Sequence, residues 1–130
     1  MTDGVIPEDI RQFLLKNIDS IAQWEGLLLL RGHSGAACDT GVIARNLYIP
    51  DHDVAPLLAP LAARRIVEVS DVEGRPHYRY APETTELDEA IGRVADFYKQ
   101  YLIPITNFIH AKPAPSRVQE FANAFRIRKD

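Results

Sequence analysis

The sequence predicts a mainly α-helical chain with one small β-hairpin, an α+β fold. Two observations carry that prediction. Between Asp39 and Pro82, two short helical patterns run straight into a pair of strand patterns around Gly74. From Leu87 to Phe108, apolar residues recur at steps of 4, 3, 4, 3, 4 and 3. Size and composition agree: 130 residues, 46% hydrophobic and 25% charged, suit one globular unit whose core needs neither disulfide nor metal. Cys38 is the single cysteine, so no intramolecular disulfide is available. The N-terminus lacks a basic segment followed by an apolar run, and no apolar stretch is long enough to span a bilayer. A cytoplasmic protein without a membrane partner is therefore expected.

Residues 7–32 read as two helices. Pro7 suits the first helical position, and Glu8 and Asp9 suit the positive end of the helix dipole. Ile10, Phe13, Leu14 and Ile18 then form one apolar stripe. Ser20-Ile21-Ala22-Gln23 has the spacing of a capping box, and the helix it opens carries Ile21, Trp24, Leu27, Leu28 and Leu30. Trp24 at that spacing is a core residue before it is a ligand-stacking one.

Residues 39–65 read as two more helices. Asp39 is a good N-cap for Val42, Ile43, Ala44 and Leu47, and Tyr48-Ile49-Pro50 ends that helix. Asp51 or Asp53 is expected to cap the next, whose inward stripe is Val54, Leu57, Leu58 and Leu61. Pro56 fits its first turn, whereas Pro60 is expected to kink or break it, at a cost of about 3 kcal/mol. Residues 66–80 supply the hairpin: a strand over Ile66–Val69, a turn over Asp71–Pro76, and a returning strand over His77–Tyr80. Helix, turn, helix, hairpin is the order of a winged helix-turn-helix, assigned here to residues 1–82.

The remaining residues, 83–130, read as a long helix and a short terminal one in the same compact unit. Thr85 with Asp88 is an acidic variant of the capping box. Leu87, Ile91, Val94, Tyr98, Tyr101, Ile105 and Phe108 make a seam of the kind that pairs helices, so a homodimer is expected, and Pro104 should bend the helix. Pro113-Ala114-Pro115 is a short linker. Beyond it, Val118, Phe121, Ala122 and Phe125 stripe a last helix that ends in the basic run Arg126-Ile127-Arg128-Lys129.

The run Asp39-Thr40-Gly41-Val42-Ile43-Ala44-Arg45-Asn46-Leu47, with Leu57–Val67 behind it, resembles bacterial winged-helix transcription regulators of the MarR/PadR type. The whole chain, including Phe121–Lys129, is similar to small winged-helix proteins of proteobacteria. The resemblance implies double-stranded DNA as partner. It implies that the second motif helix enters the major groove, that the wing touches backbone or minor groove, and that the helix after the wing builds the dimer.

The residues themselves complicate base reading. Opposite the Val54–Leu61 stripe, the second motif helix presents His52, Asp53, Pro56, Ala59, Pro60 and Ala63. Reading base edges calls for Arg, Lys, Asn or Gln, and this face has none. Phosphate contacts are open to Arg45, Arg64, Arg65, Arg75 and Arg79, opposed by Asp71 and Glu73 at the wing tip and by a net charge of −3. Hence the first expectation is a homodimeric DNA-binding regulator working through phosphate and shape contacts, with His52 as the polar group on the helix face. The alternative is an interaction module whose Pro56, Ala59, Pro60 and Ala63 face docks a protein.

Enzyme chemistry is not expected. His33, His52, His77 and His110 stand far apart without partners at metal-ligand spacing, no glycine-rich phosphate loop is present, and no cofactor or metal is implied. Cys38 reads as a small buried hydrophobe, with a redox sensor as the other reading.

Overall fold

A computed structural model describes residues 5–33 and 35–111. The expected linker, last helix and basic tail lie outside the described residues. The order is α1 (Glu8–Asn17), α2 (Ile21–Gly32), β1 (Cys38–Asp39), α3 (Thr40–Leu47), a 3₁₀ turn (Asp51–Asp53), α4 (Val54–Ala63), β2 (Val67–Val72), β3 (Arg75–Tyr80), α5 (Thr85–Gln100) and α6 (Leu102–Ala111).

Local signals place most boundaries. Pro7 is the residue before α1 rather than its first, with Glu8 and Asp9 in the opening turn as expected. Ser20 caps α2 by accepting from the Gln23 N–H at 3.1 Å, and Asp39 caps α3 by accepting from the Val42 N–H at 2.9 Å. The cap of α5 is Thr84, one residue before the expected Thr85; its hydroxyl accepts from the Leu87 N–H at 3.1 Å. Neither aspartate was needed to cap α4. The chain enters that helix already coiled, through the 3₁₀ turn, and the Asp53 side chain caps nothing.

The sheet is antiparallel in the order β1-β3-β2. The hairpin is longer than its alternation suggested, because Glu73 and Gly74 alone make the turn, at φ 53° and 82°. Two successive residues at positive φ give the turn whose twist matches a tight hairpin. The two-residue strand β1 was not anticipated; it pairs Cys38 with Tyr78 and Asp39 with His77.

Pro60 does not break α4, which continues to Ala63. The helical bond it forfeits is the one it would have donated to Pro56, an exposed residue, while Val54, Leu58 and Leu61 are fully buried on the other side. Close approach helps as well: a Cβ on Gly26 of α2 would stand 3.3 Å from the Leu58 side chain.

The expected long C-terminal helix is two helices. It stops at Tyr101 (φ −126°, ψ 53°), and Pro104 falls in the first turn of α6, where its missing N–H forfeits nothing. Its stripe is also occupied differently from expectation. Ile91, Val94, Tyr98, Ile105 and Phe108 are buried within the chain, in one core cluster that runs from Ile6 to Ile109. Leu87 is half-buried and Tyr101 exposed. Tyr98 meets Trp24 edge to face, centroids 5.9 Å apart, and its hydroxyl donates to Glu25. Burial, followed by that bond to a carboxylate, pushes the phenol up to about 12.

Gln23 is the one buried polar side chain of the described core, 2% exposed. Its Oε1 accepts from the Asp19 N–H at 2.8 Å and its Nε2 donates to the Leu57 carbonyl at 3.1 Å, tying α2 to α4. Gln23→Ala should therefore cost about 1–2 kcal/mol, since two half-buried partners, the Asp19 N–H and the Leu57 carbonyl, lose their bonds. Urea unfolding should show a lower midpoint with an unchanged slope.

Candidate nucleic-acid interface

α3, α4 and the wing bring some of the expected basic residues together and remove others. From the point where a Cβ on Gly41 would stand, Arg45 Nη1 lies 3.6 Å away and Arg75 Nη2 3.7 Å away. The two guanidiniums thus approach each other across the first turn of α3, one from the helix and one from the wing. Both residues are exposed, and neither forms a direct ion pair among the described residues. Asp39 is close by; the Val42 N–H, and next among its favourable contacts the Arg75 charge, hold its carboxyl below the usual carboxylate range. The Thr40 hydroxyl donates to the Pro76 carbonyl at 3.3 Å, stitching α3 to β3.

Arg64 does not join them. Its guanidinium turns back to the α1–α2 junction, donating to the Asn17 carbonyl and to Asp19 at 3.3 Å. Arg79 pairs with Glu68 directly across the hairpin. Sequence alone could not foresee these pairings, which depend on register and helix packing. Arg65 is exposed in a left-handed conformation (φ 65°) that closes α4: its own N–H donates to Ala62 and the next, that of Ile66, to Leu61. His52 is exposed in the 3₁₀ turn, its Nε2 3.4 Å from Asp53. Asp71 and Glu73 are exposed at the wing tip, as expected.

The outward face of α4 is as bare as its sequence. Pro56, Ala59 and Ala63 are exposed and Pro60 half-buried. Cys38 is buried in β1, and burial raises its thiol, which fits the small hydrophobe and not a reactive thiolate. One exposed residue gives no signal in the sequence pattern. Tyr48, read as part of a helix stop, is 94% exposed in the turn between α3 and α4.

This arrangement of helices and hairpin recurs in solved structures. A Staphylococcus aureus MepR variant bound to an oligodeoxyribonucleotide matches with a TM-score of 0.53 and 19% identity, over 92% of this chain and 85% of that one. A MarR family transcriptional regulator from Streptomyces coelicolor matches at 0.52 and 18%, over 90% and 84%. Bordetella bronchiseptica BpsR, whose DNA binding is regulated by 6-hydroxynicotinic acid, matches at 0.51 and 19%, over 92% and 84%.

The chain has the MarR-type winged-helix fold. No protein-family profile matches the sequence, and no curated protein does. These neighbours are a DNA-bound protein, a transcriptional regulator and a protein of regulated DNA binding, so the likeness lends nothing to a protein-docking role for the Pro/Ala face. Among the described residues, no helix is long and apolar enough to cross a membrane.

The Asp39 cap in this MarR-like motif should be visible in acid. A carboxyl depressed in the folded state contributes stability above its unfolded value of 3.8, and that contribution is lost as pH falls through the folded one. Asp39→Asn should melt below the parent at neutral pH. In thermal scans the gap should close as pH drops below 3.8.

Proposed function

We propose that this protein is a homodimeric, cytoplasmic transcription regulator that binds double-stranded DNA mainly through phosphate and shape contacts. The observation that carries the reading is the convergence of Arg45 and Arg75 at the junction of α3 and the wing. Two guanidiniums free of direct ion pairs, presented from two elements, suit a polyanion whose phosphates repeat along a curved path. The MarR-type fold supports it, since one such neighbour is seen with an oligodeoxyribonucleotide bound. Base readout from α4 is minor, because His52 is the only hydrogen-bonding side chain besides Asp53 on its outward face. Arg65 is a third phosphate ligand, exposed at the far end of α4. Arg64 and Arg79 are engaged within the chain instead, with Asp19 and Glu68.

Dimerisation uses what the monomer leaves bare. The corner between α5 and α6 exposes Tyr101, Leu102 and Ile103, the last at 60%, with Phe97 stacked on Tyr101 at 4.6 Å. Apolar side chains this exposed favour a covered state. A homodimer places two wings symmetrically, as a two-fold operator requires.

Fluorescence polarisation against a duplex from the chain's own promoter region, at several salt concentrations, tests the DNA reading. Affinity should fall steeply with salt. Arg45→Ala and Arg75→Ala should each flatten the log–log slope by about one, and Arg64→Ala should leave it unchanged. Absence of binding at low salt by folded protein would sink the reading. For the dimer, Ile103→Glu should shift the sedimenting species to monomer; an unchanged dimer would place the interface elsewhere.

A further inference from the structure

The backbone of Tyr48 closes α3, its N–H and that of Ile49 both donating to the Ala44 carbonyl, but nothing in the fold calls for its side chain. It follows α3 at φ 58°, the left-handed region where a Cβ is strained and glycine or asparagine usually stands. The side chain recovers none of that cost by packing, for at 94% it is far more exposed than Ile103, the next most exposed large apolar residue described. The two other non-glycine residues at positive φ, Arg65 closing α4 and Glu73 at the hairpin tip, carry charged side chains that suit solvent, whereas Tyr48 exposes an aromatic ring. Strain that local packing does not relieve is a reason to look for a ligand.

The surroundings indicate which ligand. Arg45 and Asn46 precede Tyr48 and Asp51 and His52 follow it, all four exposed and polar. Protein-docking aromatics sit in patches whose centres are depleted of charge, and this one does not. Its setting is that of the interface proposed above: the arginine that reaches Gly41 lies one turn before it, and the histidine at the head of the α4 face four residues after.

We propose that Tyr48 anchors the protein to the nucleic-acid backbone. Its phenol O–H donates to a phosphate oxygen and its ring lies along the adjoining sugar, setting the depth at which the bare α4 face meets the duplex. Tyrosine is among the side chains that make such sequence-independent contacts, and immobilising it fixes only two torsions. The proposal rests on the DNA-binding reading and adds an uncharged ligand to it.

Stability and affinity should move in opposite directions. Tyr48→Gly removes the ring and relieves the backbone, so the melting temperature should rise by about 2–4 °C. The same variant should bind the promoter duplex about tenfold more weakly at every salt concentration, with the parent's log–log slope, because no charge is lost. Tyr48→Phe, which keeps the ring, should melt like the parent and lose about threefold. Parent-like affinity in the glycine variant overturns the proposal while leaving the DNA reading intact. So does an affinity loss accompanied by a lower melting temperature or a flatter slope, which would mark a structural or electrostatic role. A parent protein that binds no DNA overturns both, and that result is read on the parent alone.

Discussion

Much of the architecture depends on how the α1–α2 junction holds α4. Apolar burial supplies most of the energy: Val54, Leu58 and Leu61 are fully buried, each contributing about 1.5–3 kcal/mol. Burial is non-directional, however, and would tolerate some rotation of the helix about its axis. Direction comes from two polar ties. Gln23 reaches the Leu57 carbonyl in the middle of α4, and Arg64 at its end reaches Asn17 and Asp19. Both end within residues 17–23, so one short segment sets how α4 presents Pro56, Ala59 and Ala63. Held at its middle and at its C-terminal end, the helix tolerates an internal proline that an isolated peptide of this sequence would not.

The same ties sort the basic residues into two kinds. Arg64 meets Asp19 in a half-buried pair, and Arg79 meets Glu68 on the exposed face of the hairpin, where the pair adds little stability. Arg45 and Arg75 form no direct ion pair among the described residues and share the space beside Gly41 with the Asp39 carboxylate, whose Oδ1 lies 3.3 Å from where a Cβ would stand. A net charge of −3 therefore says little about the local field, which depends on which cations are already neutralised.

Much of the fold was legible in the sequence, because apolar spacing, capping residues and the hairpin turn all agree locally. Ser20 and Asp39 cap where they should, and the stripes of α1 and α2 are buried or half-buried as read. What sequence could not show is non-local. A run at heptad spacing looks alike whether it meets another chain or its own, and here Ile91, Val94 and Tyr98 meet Trp24 and its neighbours in one core. β1 is too short to carry alternation, and it exists because β3 has a free edge beside it. For the candidate site, exposure of the α4 face was readable from composition. The fates of individual arginines were not, because Glu68 opposes Arg79 only in the register that Glu73 and Gly74 impose. Tyr48 was invisible for a related reason: a left-handed helix closure is read from glycine, and tyrosine stands there instead.

The central position of β3 has a mechanical consequence. Its outer edge carries β2 and its inner edge carries Cys38 and Asp39, whose next residue is the first of α3. A load that bends the wing is passed through β3 to those two residues and so to the first turn of the motif. Wing and motif thus behave as one stiff lever with no joint between them. Any movement of this lever has to be accommodated where α2 packs on β3 and α3 as well as where it meets α4.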